Sequence, residues 1–189
     1  MKKITQEELT HRLELHKLWI ETCGTDDPKG ESLDLSDTDI SGLDLSGADL
    51  SDADMENAHA VGANLSNANL DDVFAEGANF SFANLTGASL CNAIFNYATF
   101  YKAKLCDANL SQASLCNVDL EEADLALADL FDVSLDGASL RNVNFVGANL
   151  AIGSATPEIC DALTAVFAAQ MALVKASRAA DLERKNQED

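Results

Sequence analysis

Residues 48–70 read ADLSDADMENAHAVGANLSNANL. Ala recurs at Ala48, Ala53, Ala58, Ala63 and Ala68, and two residues after each stands Leu50, Met55, Ala60, Leu65 or Leu70. A period of five suits neither an α-helix, at 3.6 residues per turn, nor a strand, at 2.0. Wound as a helix, these leucines would spread around the whole circumference. The regular alternative is a solenoid in which each pentad forms one side of a coil. The centre residue and the small residue two before it then point inward, and the other three face solvent.

The phase extends outward from this stretch in both directions. Centre residues run from Leu35 to Leu150 in 24 consecutive pentads without an insertion. Val73, Val118, Val133 and Val143 replace the small Ala, and Asp or Asn is commonest between the two inward positions. Stacking would bury the apolar columns and pair each coil's backbone with its neighbours. Ala60 and Ala75 are undersized centres, but Phe80, Phe95 and Phe100 lie in the same columns. The pattern predicts compensated core volume there rather than a ligand cavity.

Ala48-Asp49-Leu50-Ser51-Asp52, Ala63-Asn64-Leu65-Ser66-Asn67 and Ala148-Asn149-Leu150 resemble the A(D/N)LXX motif of the pentapeptide-repeat family. The resemblance covers about residues 31–152. It implies an all-β solenoid, a right-handed quadrilateral β-helix with four pentads per coil. Twenty-four pentads would make about six coils, roughly 29 Å tall at a strand spacing of ~4.8 Å.

Both ends of such a stack need covering. Residues 1–30 are expected to supply an N-terminal capping helix and linker, with Thr5 and Glu8 as a capping box opening a helix over about residues 6–21. Leu9, Leu13, Leu15, Leu18, Trp19 and Ile20 would form its apolar face. Residues 31–155 make the β-helix. Residues 156–189 are expected to form a C-terminal α-helix with Thr156 as N-cap and Pro157 at the first helical position. Its stripe of Ile159, Leu163, Val166, Phe167 and Leu173 exceeds what one narrow coil needs, which favours a homodimer through this end; a helix folded over its own coil is the alternative.

The formal net charge is −20. That argues against direct contact with nucleic acid or anionic membrane, and towards a protein partner with a basic surface. Residues 31–155 hold 20 acidic and 3 basic side chains, about one net charge per 1.7 Å of the expected stack, close to duplex DNA. Sorting pentads by side gathers Asp34, Asp49, Asp52, Asp54, Glu56, Asp71, Asp72, Asp129 and Asp132 on two adjoining sides as an acidic ridge without a base. Another side would expose His59, Val61, Phe82, Tyr101 and Lys102 as an aromatic patch.

No P-loop, GxGxxG, HExxH or EF-hand motif occurs, so no catalytic residues, metal ligands or cofactors are expected. His11 and His16 are five apart, which does not suit joint ligation on a helix. Cys91, Cys106 and Cys116 fall in different columns, and with Cys23 and Cys160 they make an odd number without a CxxC pair. Reduced thiols in a cytoplasmic protein are the expectation. The resemblance implies a non-enzymatic role: some members mimic DNA and bind type II topoisomerase (DNA gyrase). A scaffold or adaptor that uses its aromatic side is the alternative.

Overall fold

A computed structural model describes residues 1–25 and 29–151, together with Leu163, Ala168 and Ala172. From Asp34↔Asp54 to Asp129↔Asn149, parallel bridges join residues 20 apart. Twenty residues are four pentads, so each coil has four sides. Side one is centred on Leu35, Met55, Ala75, Phe95, Leu115 and Leu135. Side two carries Ile40 to Leu140, side three Leu45 to Phe145 and side four Leu50 to Leu150, all in steps of 20. Sides four and one share a corner.

Backbone chemistry explains why the unit is five residues long. In the pentad 68–72, the Ala68 N–H donates to Leu65 O across a turn, and Asn69 N–H to Ala48 O on the coil below. Leu70 and Asp72 donate to Ser89 O and Cys91 O on the coil above. One amide is left over, that of Asp71, and the Asn69 side chain accepts it at 3.1 Å. The same Asx contact recurs at Asp34, Asp39, Asp44, Asp49, Asn84, Asn109 and Asp129. The Asp or Asn of the motif is therefore a backbone ligand, since a buried N–H without a partner costs about 1–3 kcal/mol.

The last residue of every pentad among the described residues turns the corner at positive φ, from Asp37 at 50° to Gly147 at 75°. This is the third residue of a type II turn, the place of Gly, Asn and Asp. Phe82, Tyr97, Lys102, Gln112, Glu122 and Leu127 occupy it as well. Each costs about 1 kcal/mol or more against Gly.

Inside, the centre residues Leu35 to Leu135 are buried, as are the small residues from Ala53 to Val133. Phe80, Phe95 and Phe100 form one cluster. Phe80 and Phe100 stack with centroids 5.0 Å apart, and Phe95 meets them edge-on at 5.6 and 5.2 Å. Ala60 and Ala75, both fully buried one coil below Phe80 and Phe95, leave the volume these rings fill.

The first coil makes contact with the N-terminal segment on all four sides. Strand β1 (Lys2–Lys3) pairs in parallel with β2 (Thr38–Asp39) on side two. Helix α1 (Gln6–Thr22) begins at Thr5, whose hydroxyl accepts the Glu8 N–H. The Glu8 carboxylate does not complete the box; Lys2 and Arg12 take it instead, and they hold its pKa below the usual range. On side three the Gln6 amide imitates a strand neighbour, donating to Asp44 O at 2.8 Å and accepting Asp44 N–H at 2.9 Å. On side one Arg12 donates to Asp34 O. His16 spans sides one and four: its Nδ1 accepts the Leu33 N–H at 3.0 Å, so the proton sits on Nε2, 2.9 Å from Ser51 O.

The helix uses a narrower face than its apolar residues suggest. Only Leu9 and His16 are fully buried. Leu13 packs partly on the core, and Leu18 is exposed. A coil end four sides wide offers room for one stripe, and a histidine fills part of it because two backbone groups there need partners.

Of the expected C-terminal stripe, Leu163 is helical and buried; the neighbouring Ala168 and Ala172 are helical and exposed. Thr156, Pro157, Ile159, Cys160, Val166, Phe167 and Leu173 lie outside the described residues. Among the described residues no helix is long and apolar enough to cross a membrane.

Candidate protein-binding surfaces

The acidic residues of sides four and one project from strand-centre and corner positions. Asp34, Asp49, Asp52, Asp54, Glu56 and Asp72 are exposed, as are Asp132 and Glu76; Asp71 and Asp129 are half-buried. They fall into two groups. Asp34, Asp49, Asp52, Asp54, Glu56, Asp71, Asp72 and Glu76 surround the shared corner low on the stack. Asp129, Asp132 and Asp136 lie high on it. Between them, Ser89, Cys91, Asn92, Asn109, Ser111 and Gln112 on side four carry no charge. Nor do Ile94, Asn96, Tyr97, Ser114, Cys116 and Asn117 on side one. Three coil steps separate Asp72 from Asp132, about 14 Å.

Several of these carboxylates have structural duties. Asp49 accepts from Ser51 N, Ser51 Oγ and Asn69 Nδ2, and Asp71 from Ser89 Oγ and Cys91 N. Hydrogen bonds from the Ser36 hydroxyl and amide hold Asp34 below its ordinary pKa, with Arg12 adding a smaller pull. Ser41 and Ser46 do the same for Asp39 and Asp44.

On side two, Phe82 and Tyr101 meet edge-on at 5.5 Å, and the Lys102 ammonium lies 5.0 Å from the Tyr101 ring centre. Lys102 also pairs with Glu122 at 3.3 Å, and Arg141 with Glu121. Phe82, His59 and Lys102 are exposed; Val61 and Tyr101 are half-buried. Side two thus joins an aromatic pair to a partly neutralised charge network.

Side one carries a second apolar group that charge sorting passes over. Phe74 is 58% exposed and bridges directly to Ile94 on the next coil. Tyr97, 62% exposed, turns the corner of the Ile94 pentad at φ 61°. Its signal in the sequence is a departure from the repeat. Phe74 and Ile94 stand where Asp or Asn would accept an amide, and neither side chain can.

The four described cysteines are free thiols. Cys106 is pushed up to about 11 by burial and by Asp124, and burial also raises Cys91, so both stay protonated at neutral pH and are poor nucleophiles. No group of His, Cys, Asp and Glu among the described residues is arranged to hold a metal ion. A recess of about 280 Å³ between α1 and the first coil is lined by Arg12, Leu15, Glu31, Ser32, Leu33 and Asp34; its one cation, Arg12, is engaged by Glu8 and Asp34 O.

A family model described as "Pentapeptide repeats (8 copies)" matches residues 34–73, 76–112 and 108–147. Among solved structures, the chain is similar to HetL, a pentapeptide repeat protein involved in heterocyst differentiation regulation from the cyanobacterium Nostoc sp. Strain PCC 7120. The identity is 29%, over 66% of this chain and 70% of that one, with a TM-score of 0.41. It is also similar to a trypsin-treated form of QnrB1, a plasmid-mediated fluoroquinolone resistance protein, at 20% identity over 61% of this chain, with a TM-score of 0.49. Rfr23, a pentapeptide repeat protein from the cyanobacterium Cyanothece 51142, shows 23% identity over 67% of this chain, with a TM-score of 0.25. The matches span 64% of the QnrB1 chain and 65% of the Rfr23 chain, less than two thirds of each. Comparison with curated proteins returns no match.

Proposed function

Because this chain belongs to the pentapeptide-repeat family, whose model matches more than half of it, we propose that it is a non-enzymatic, cytoplasmic protein that acts by binding another protein through the outside of its β-helix. The partner carries a basic surface. A DNA-binding protein, with type II topoisomerase (DNA gyrase) the first candidate, meets the acidic sides as it would meet a duplex. The working body is a right-handed rod of about six coils, with β1 and α1 as its N-terminal cap and the C-terminal segment as a homodimer contact.

One observation carries this reading. On sides four and one, residues 33–151 contain no Lys or Arg, while acids stand at both ends of the stack. A basic groove meeting the coils on these sides encounters no repulsive cation from residues 33–151, and Arg12 at the lower end is paired with Glu8; this favours fast, salt-dependent association. The adaptor reading has its own support in the Phe82–Tyr101–Lys102 cluster of side two, because aromatic groups with a nearby cation are common anchors of protein contacts.

The test is a DNA gyrase supercoiling and cleavage assay with and without the protein, beside a variant carrying Asp52→Lys, Glu56→Lys and Asp72→Lys, three exposed acids of these sides. An effect of the wild type that the variant lacks supports mimicry. No effect of the wild type at micromolar concentration sinks the topoisomerase reading. If Phe82→Ala and Tyr101→Ala abolish binding to an identified partner while the charge variant retains it, the adaptor reading replaces it.

A further inference from the structure

On side one, Phe74, Ile94 and Tyr97 break two separate rules of the repeat at one spot. The strand-centre column reads Asp34, Asp54, Phe74, Ile94, Ser114, Ser134, and the corner column reads Asp37, Asn57, Gly77, Tyr97, Asn117, Gly137. Phe74 and Ile94 give up the side-chain acceptor that Asp34 and Asp54 supply to the leftover amide lower in the same column. Tyr97 adopts a left-handed backbone that every other residue of its column, being Asp, Asn or Gly, adopts at lower strain. Each departure lowers stability, and together they leave two rings and an isoleucine on the surface. Strain held without a packing return, beside two further exposed apolar side chains, motivates a functional reading of this spot.

The surroundings select the occupant. Asp54 and Glu56 lie on the coil below Phe74, Glu76 lies beside it, and Asp71 and Asp72 lie across the shared corner. Among residues 33–151 no Lys or Arg stands on this side, and Arg12 of α1 reaches it only at Asp34, two coils below Phe74. Phe74 and Ile94 are one coil apart, about 5 Å, and Tyr97 is three residues along, about 10 Å. An apolar centre with an acidic border complements an apolar stripe with a basic border, and residues spaced i, i+3 and i+4 on a helix lie ~5–6 Å apart.

We propose that Phe74, Ile94 and Tyr97 form a docking site for a basic amphipathic helix of a partner protein, its apolar residues seated on the patch and its Lys and Arg on the flanking acids. This rests on the reading that the protein acts by binding proteins. It does not require that the partner be a topoisomerase, nor does it use the side-two cluster.

The probe is a fluorescent synthetic helix of about 18 residues, long enough to hold helical structure, with Leu at i, i+3, i+4 and i+7 and Lys elsewhere. Its affinity is measured by anisotropy at physiological salt, beside a peptide in which Ser replaces every Leu. The protein variant is Phe74→Asn, Ile94→Asn and Tyr97→Asn, which restores the motif and so folds at least as well. The expected result is that the Leu peptide binds the variant about tenfold more weakly than wild type, the Ser peptide binds both alike, and Phe82→Gly with Tyr101→Ser changes neither. The variant should also melt higher, by about 2–4 °C for each kcal/mol of relieved strain. Equal affinity of the Leu peptide for wild type and variant overturns the proposal. So does light scattering in which wild type self-associates and the variant does not, because the occupant is then a second copy of this chain. A wild type inactive on gyrase leaves this result untouched, so the two failures are separable.

Discussion

Replacing His16 with Ala tests how the N-terminal segment holds the first coil. His16 is fully buried, its two nitrogens meet the Leu33 N–H and Ser51 O, and its ring stacks on Trp19 with centroids 5.6 Å apart. Removing the ring orphans a donor and an acceptor, at about 1–3 kcal/mol each. The lost stack adds about 0.5–1.5 kcal/mol. With water reaching part of the gap, the net destabilisation is about 3 kcal/mol. Urea unfolding followed by circular dichroism measures it, and hydrogen exchange at the Leu33 amide reports it locally. Acidity supplies a second signature. Burial lowers the pKa of His16 from its ordinary 6.5, while the Ser51 carbonyl and the charges of Asp49 and Asp52 pull weakly the other way. The unfolded chain therefore binds a proton near pH 6.5 that the folded chain refuses. The His16 contribution is full above that pH and shrinks as pH falls through it towards the folded value. Wild type should lose stability across this window more steeply than His16→Ala. A variant within 1 kcal/mol of wild type, with an unchanged pH slope, would refute the account.

Gly30→Ala should damage the same region, because at φ +77° a Cβ there would overlap the Leu15 carbonyl and lie 2.8 Å from Trp19 N; a melting temperature lower by several degrees and faster exchange in α1 are expected. Phe80→Ala removes the ring shared by both partners of the aromatic cluster and should cost about 3–5 kcal/mol by chemical denaturation. Leu127→Asn relaxes an exposed left-handed corner and should raise stability by about 1 kcal/mol. Towards low pH, Asp34, Asp39 and Asp44, held below their ordinary range by Ser36, Ser41 and Ser46, contribute stability above about pH 4 that disappears as pH falls through their folded pKa values; Ser46→Ala should move the Asp44 titration, followed by NMR, upward.

Much of the solenoid was legible because its physics repeats. A coil of constant cross-section needs the same inward volume, the same leftover-amide acceptor and the same corner residue every five positions. The phase from Leu35 to Leu150 therefore identifies the inward residues, and sorting by side places the acids of sides four and one. Thr5 and the span of α1 were readable as local signals. The neutral band between Asp72 and Asp132 and the Phe74–Ile94–Tyr97 group stood in the same columns. They pass unnoticed when only charge is sorted, since they show as missing Asp and Asn rather than as a motif.

What lay beyond the sequence is what occurs once. Lys2–Lys3 is one more charged pair until it joins Thr38–Asp39 as a parallel strand. Gln6 is one more polar helix residue until its amide meets both backbone groups of Asp44. His16 interrupts an apolar stripe until Leu33 and Ser51 present it with a donor and an acceptor from two sides of the coil. The repeating wall follows from the five-residue period alone, because identical neighbours impose identical demands on every pentad. How that wall is met at its lower end emerges only once the chain is folded, because the side-chain partners there are 17 to 38 residues apart and follow no period.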